Sequence, residues 1–95
     1  MQVLSPLLQF QNQLRVFHWQ TESYAQHKAF GKAYEELDEL IDTFIETFMG
    51  KHGRLESEDG KYTLELSNLK DAKADTIIEE FLTYLDTFNE SLDEK

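Results

Sequence analysis

Apolar residues recur along this chain at helical spacing. Val3, Leu7, Phe10, Leu14 and Phe17 repeat in steps of three and four, with Leu4 and Leu8 widening the stripe. That period lines side chains up on one face of an α-helix. Ser5-Pro6 pairs an N-cap residue with a favoured first helical residue. Together they predict a first helix over about 5–21. A second stripe runs through Phe30, Tyr34, Leu37, Ile41, Phe44 and Phe48, with Ile45 at its edge. Ser23 and Gln26 form a capping box before it, and Gly50 suits the residue just past its end. The predicted second helix, about 23–50, is roughly 40 Å long at 1.5 Å per residue. A helix of that length needs apolar neighbours all along it, which implies a bundle.

The third stripe is Ile77, Phe81, Tyr84, Leu85, Phe88 and Leu92, predicting a helix over 71–93. Asp71 and Asp75 are its cap candidates, and Thr76 with Glu79 has capping-box spacing. Residues 51–70 carry Gly53, Gly60 and many charges, which predict a crossover loop. Within it Tyr62, Leu64 and Leu66 alternate with polar residues and are expected to tuck against the bundle. An isolated strand there would have no partner. The fold class is therefore all-α, an antiparallel bundle of three main helices in a single domain, residues 1–95. Three amphipathic helices are one short of a four-helix bundle. The expectation is a homodimer or higher homo-oligomer that covers the remaining apolar surface.

Charge and composition narrow the function. The chain has 9 Lys and Arg against 19 Asp and Glu, a net charge of −10, with an excess of acid in both halves. Nucleic-acid binding is disfavoured, because it is driven by clustered cations that release counterions from phosphates. There is no cysteine, which removes disulfide and thiolate chemistry. No apolar run reaches the roughly 18 residues of a membrane span, and no basic residue precedes the first apolar stretch as in a signal peptide. The expected location is the cytoplasm, with no membrane partner.

The stretch from His18-Trp19 to His27, followed by Asp42 and Glu46, carries the candidate chemistry. Two histidines bracket the turn between the first helices. Asp42 and Glu46, four apart, share a helix face. Imidazole and carboxylate together suit iron, manganese or zinc. Each residue also has an ordinary reading. His18 falls near its apolar stripe, where a histidine is usually a buried, hydrogen-bonded core residue. Asp42 and Glu46 belong to an acidic face with Glu35, Asp38 and Glu39 that would simply be solvated. Trp19 reads as packing, and His52 as a surface residue in the following loop.

This pattern, over roughly residues 7–50, resembles the Dps branch of the ferritin-like family, the shell-forming iron-storage proteins of bacteria. The resemblance implies a ferritin-like fold with iron or another divalent metal held at a dimer interface. His18 and His27 would come from one subunit, Asp42 and Glu46 from its two-fold mate, and the chemistry would be ferroxidase-like. Where that family places a further Asp, one turn after the second His, this chain has Gly31, so Glu22 or Asp38 would have to replace it. The family's fourth helix and basic tail have no counterpart in these residues. The stretch His18-Trp19-Gln20-Thr21 is also similar to short uncharacterised bacteriophage proteins, which implies a virus-encoded protein in the host cytoplasm. The alternative reading is a non-catalytic helical oligomerisation or protein-interaction module that retains a relic of the site.

Overall fold

In the computed structural model, the chain path is described for residues 3–93 and the side chains for residues 3–87. Three α-helices make up the architecture: α1, Leu4–Gln20; α2, Tyr24–His52; and α3, Ala74–Asp93. A single 3-10 turn, Leu69–Asp71, precedes α3. Helix α2 runs past Gly50, which stays helical, and ends at Gly53, whose φ of 93° suits a residue without a Cβ. Its last residue is His52, so this side chain sits on the helix, with its ring 4.5 Å from that of Phe48, and not in the loop. Helix α3 starts three residues later than its pattern suggested, leaving Thr76 and Glu79 inside the helix rather than at its cap. Helix α1 starts at Leu4, so Ser5 is already helical and makes no cap.

A short hydrogen-bond relay closes the α1–α2 turn. Gln26 N–H donates to Ser23 Oγ at 3.2 Å, which is half of the expected capping box. The other half is rerouted. Ser23 N–H donates to Thr21 Oγ1, whose hydroxyl donates to Gln26 Oε1 at 2.7 Å. The two helices then run antiparallel. Phe17, fully buried, meets Phe30 with centroids 5.6 Å apart, and Gln11 Nε2 donates to Asp38 Oδ1 at 2.6 Å. Farther along, Val3 and Leu7 share a core with Ile41 and with Phe81 of α3. Phe81 stacks on Phe10 with ring planes 3° apart and centroids at 3.9 Å.

The crossover returns along α1, held by glutamines. Gln13 is buried, and its amide grips Ser67 twice, accepting from Ser67 N–H at 2.7 Å and donating to Ser67 O at 2.8 Å. Gln9 accepts from Glu65 N–H and Gln20 from Leu69 N–H. Residues 65, 67 and 69 are alternate positions of an extended chain, so their N–H groups point the same way. Gln9, Gln13 and Gln20 share one helix face. The helix face thus acts as the missing strand partner. This corrects one expectation. Leu64 is half-buried, but Tyr62 and Leu66 stay exposed at 38 and 45 %, because backbone groups rather than side chains bind this segment to α1.

Because the crossover ends near Gln20 while Phe81 lies at Phe10, α3 runs antiparallel to α1 and parallel to α2. Helices α2 and α3 both lean on α1 and scarcely touch each other. The molecule measures 43 × 27 × 21 Å, and α2 sets the long dimension. Its radius of gyration, 14.5 Å, exceeds the roughly 12 Å of a compact domain of this length.

Candidate functional site

The two histidines of the motif do meet. His18 closes α1 and His27 opens α2, and the three-residue turn brings their rings face to face, centroids 3.8 Å apart and planes 18° from parallel. His18 Nδ1 lies 2.6 Å from His27 O, and His27 Nδ1 lies 2.8 Å from His18 O. A carbonyl oxygen only accepts, so each Nδ1 carries the proton and donates. In the neutral tautomer with Nδ1–H the lone pair is on Nε2. His18 is half-buried and His27 exposed.

Gly31 is part of this arrangement. A Cβ built on it would lie 2.8 Å from His18 Cε1 and 2.9 Å from Nδ1. The glycine makes room for the imidazole of the preceding helix. A carboxylate at position 31 could not coexist with His18 as it stands, so the position reads as a packing requirement and not simply as a lost ligand.

The carboxylates lie elsewhere. Asp42 and Glu46 are exposed on α2, 15 and 19 residues beyond His27, or roughly 22 and 28 Å along the axis. Asp38 is engaged by Gln11. Glu22 is exposed beside Gln20, Asn68 and Lys70 around an open depression. Among the described residues no three His, Asp or Glu side chains come together as a metal site. Among the described residues the donor set therefore does not fit a bound iron, and Asp42 and Glu46 would reach the histidines from a second subunit rather than from the same chain.

Trp19, read from its pattern as packing, is 68 % exposed. Arg15 lies between Trp19 and Tyr34, its guanidinium carbon 5.8 Å and 4.1 Å from the two ring centroids. A groove of about 310 Å³ opens between α1, the crossover and α3, lined by Phe10, Gln13, Glu65, Ile77 and Tyr84 among others. Burial pushes the Tyr84 phenol above its ordinary pKa.

The largest unclaimed feature is apolar. On α3, Ile78, Leu82 and Leu85 are exposed, as are Leu40 and Phe44 on α2. At 100° per residue, Leu40 and Phe44 lie to one side of Ile41, which faces α1. Ile78, Leu82 and Leu85 lie to the opposite side of Phe81. On α1 the ring that meets α3, Phe10, sits about a quarter turn from Gln11 and His18, which bond to α2, while Phe17, packed on Phe30 of α2, falls on the Phe10 side. That sense of rotation turns both apolar edges into the corner between α2 and α3. Periodicity had merged these residues with the core stripes. What it could not show is which residues of each stripe stay exposed.

No described helix is long and apolar enough to cross a membrane. No solved structure matches the chain. An uncharacterized 14.6 kDa protein from the mobD-ri intergenic region of Enterobacteria phage T4 is 40 % identical over 60 residues. That match covers 63 % of this chain and 42 % of the phage protein, so the chain spans less than half of that relative's length. The resemblance to uncharacterised phage proteins noted at His18–Thr21 is thereby borne out. A family profile matches residues 18–95, most of the chain and the whole of α2 and α3, and on that ground the protein belongs to DUF5856, a family of unknown function.

Proposed function

We propose that this protein is a non-catalytic helical interaction module, an open bundle whose corner between α2 and α3 receives a further helix. The carrying observation is the pair of exposed apolar edges, with Leu40 67 % and Leu82 53 % exposed across one corner. Two other facts support it. The order of an antiparallel pair, a long crossover and a helix parallel to the second is that of ferritin-like bundles with one crossover, which close with a fourth helix. The accessible surface is 7093 Å², whereas a compact 11.2 kDa monomer exposes about 5,700 Å². The surplus matches the area scale of a specific interface. The test is titration with a 20-residue amphipathic peptide bearing a leucine stripe and neutral flanks. Saturable binding with a raised melting temperature is expected, lost in Leu82→Asp. Absence of binding at millimolar peptide would refute the reading.

A second reading keeps the metal. Histidine ligands commonly donate the other ring N–H to a carbonyl, as His18 and His27 both do. That leaves two Nε2 atoms in ligand form for iron or another divalent ion. Asp42 and Glu46 of a two-fold mate would complete the site, so this reading stands on a homodimer, with ferroxidase-like turnover as its furthest extension. Elemental analysis after iron loading decides it. Near-stoichiometric metal that is lost in His18→Ala/His27→Ala supports the site, and no metal in either protein removes it.

A further inference from the structure

Resting on the docking reading, we infer that the helix received between α2 and α3 is a basic one, with Lys or Arg flanking its apolar stripe, and that it runs antiparallel to both. Helix α3 contains six carboxylates and no Lys or Arg. Asp75, Glu79 and Asp86 border its Ile78–Leu82–Leu85 edge on the side away from α1, and Glu36 borders Leu40 on α2. All four are exposed. Among the described residues the ion pair present is Arg54–Glu56, which lies in the crossover and involves none of them. The α3 side of the rim is therefore uncompensated negative charge around an apolar floor, while on α2 the exposed Lys51, at the far end of the Leu40–Phe44 edge, is the one cation beside it. Apolar residues set affinity for a helix in a groove, and complementary rim charge selects which helix.

The same charge disfavours a second copy as occupant. Two chains of net charge −10 would meet through their cation-free helices, with like charges facing across the rim. Orientation follows from the dipoles. Helices α2 and α3 are parallel, so their negative C-terminal ends lie at the same end of the molecule. An antiparallel occupant places its positive N-terminus between them.

The experiment compares three peptides of equal length against the full chain by calorimetry. One carries a leucine stripe flanked by Lys, one the same stripe flanked by Glu, and one the Lys composition with its leucines scrambled. At about 50 mM salt the Lys-flanked stripe is expected to bind at least about ten-fold tighter than either other peptide, the gap over the Glu form narrowing at about 500 mM. Asp75→Asn/Glu79→Gln/Asp86→Asn, all surface changes, should erase most of that preference while leaving stripe binding in place. Equal affinity for Lys- and Glu-flanked stripes overturns the basic-helix inference but leaves the docking reading standing. Equal binding of the scrambled peptide overturns it as mere charge attraction. A dimer that sediments as such and dissociates in Leu82→Asp overturns it in favour of a second copy. A monomer that binds no stripe at all removes the docking reading itself.

Discussion

Replacing Gly31 by alanine tests whether the histidine pair is a designed contact. In an ordinary exposed helix the change stabilises by about 1 kcal/mol, through helix propensity. Here the new Cβ would sit 2.8 Å from His18 Cε1, closer than carbon atoms approach. The imidazole has little freedom to yield, because it is stacked on His27 and bonded to His27 O. Moving it forfeits a hydrogen bond of about 1 kcal/mol. Crowding of this kind costs about 1–3 kcal/mol more. The net expectation is a loss of about 1–3 kcal/mol after the propensity gain, or a melting temperature about 4–24 °C lower for a domain of this size. The decisive comparison is the double variant. With His18→Ala in place the clash disappears, and Gly31→Ala should then raise stability by about 1 kcal/mol. Urea unfolding of the four proteins reads the coupling directly. Stabilisation by Gly31→Ala in both backgrounds would refute the reasoning and return Gly31 to the status of a lost ligand.

Two other outcomes follow from the same physics. Gln13→Ala removes both bonds to Ser67, whose exposed backbone groups then turn to water. It should cost about 1–2 kcal/mol and speed hydrogen exchange at the Ser67 amide more than in α2. Tyr84 gives a pH dependence. Its phenol pKa is raised by burial, so the folded state holds the proton after the unfolded state has released it. Stability should therefore fall as pH rises past the ordinary tyrosine value near 10 and through the raised one, and Tyr84→Phe should flatten that alkaline limb in thermal melts.

The histidine pair shows how far reasoning along the chain reaches. That His18 and His27 belong together was legible, since they bracket the turn between the first two helices, the second of them capped by Ser23. Their reciprocal bonds to each other's carbonyls were not, because they depend on the rotation of α1 against α2. The packing role of Gly31 was hidden for the same reason. Seen beside a ligand motif it is a missing carboxylate, whereas seen beside His18 it is space. The crossover offers a parallel case. Alternation in residues 62–66 pointed to apolar tucking, yet the glutamines of α1 hold the segment by its backbone. Gln9, Gln13 and Gln20 share a face, which is a readable signal, but their partners lie about fifty positions away.

By itself the sequence determined the three helices, the long second one, the crossover and the acidic, cation-poor third helix. Each follows from local causes: a repeat of 3.6, a capping side chain, a glycine able to hold positive φ, or a run of carboxylates. Only the tertiary structure decided which residues of each apolar stripe are covered, that Trp19 faces water, and that Leu40 and Leu82 stay exposed. A stripe records how much apolar surface a helix carries, and its amphipathic period is satisfied by any apolar neighbour on that side. Which neighbour arrives, and what surface is left over, is settled only when helices distant along the chain pack at defined rotations around α1.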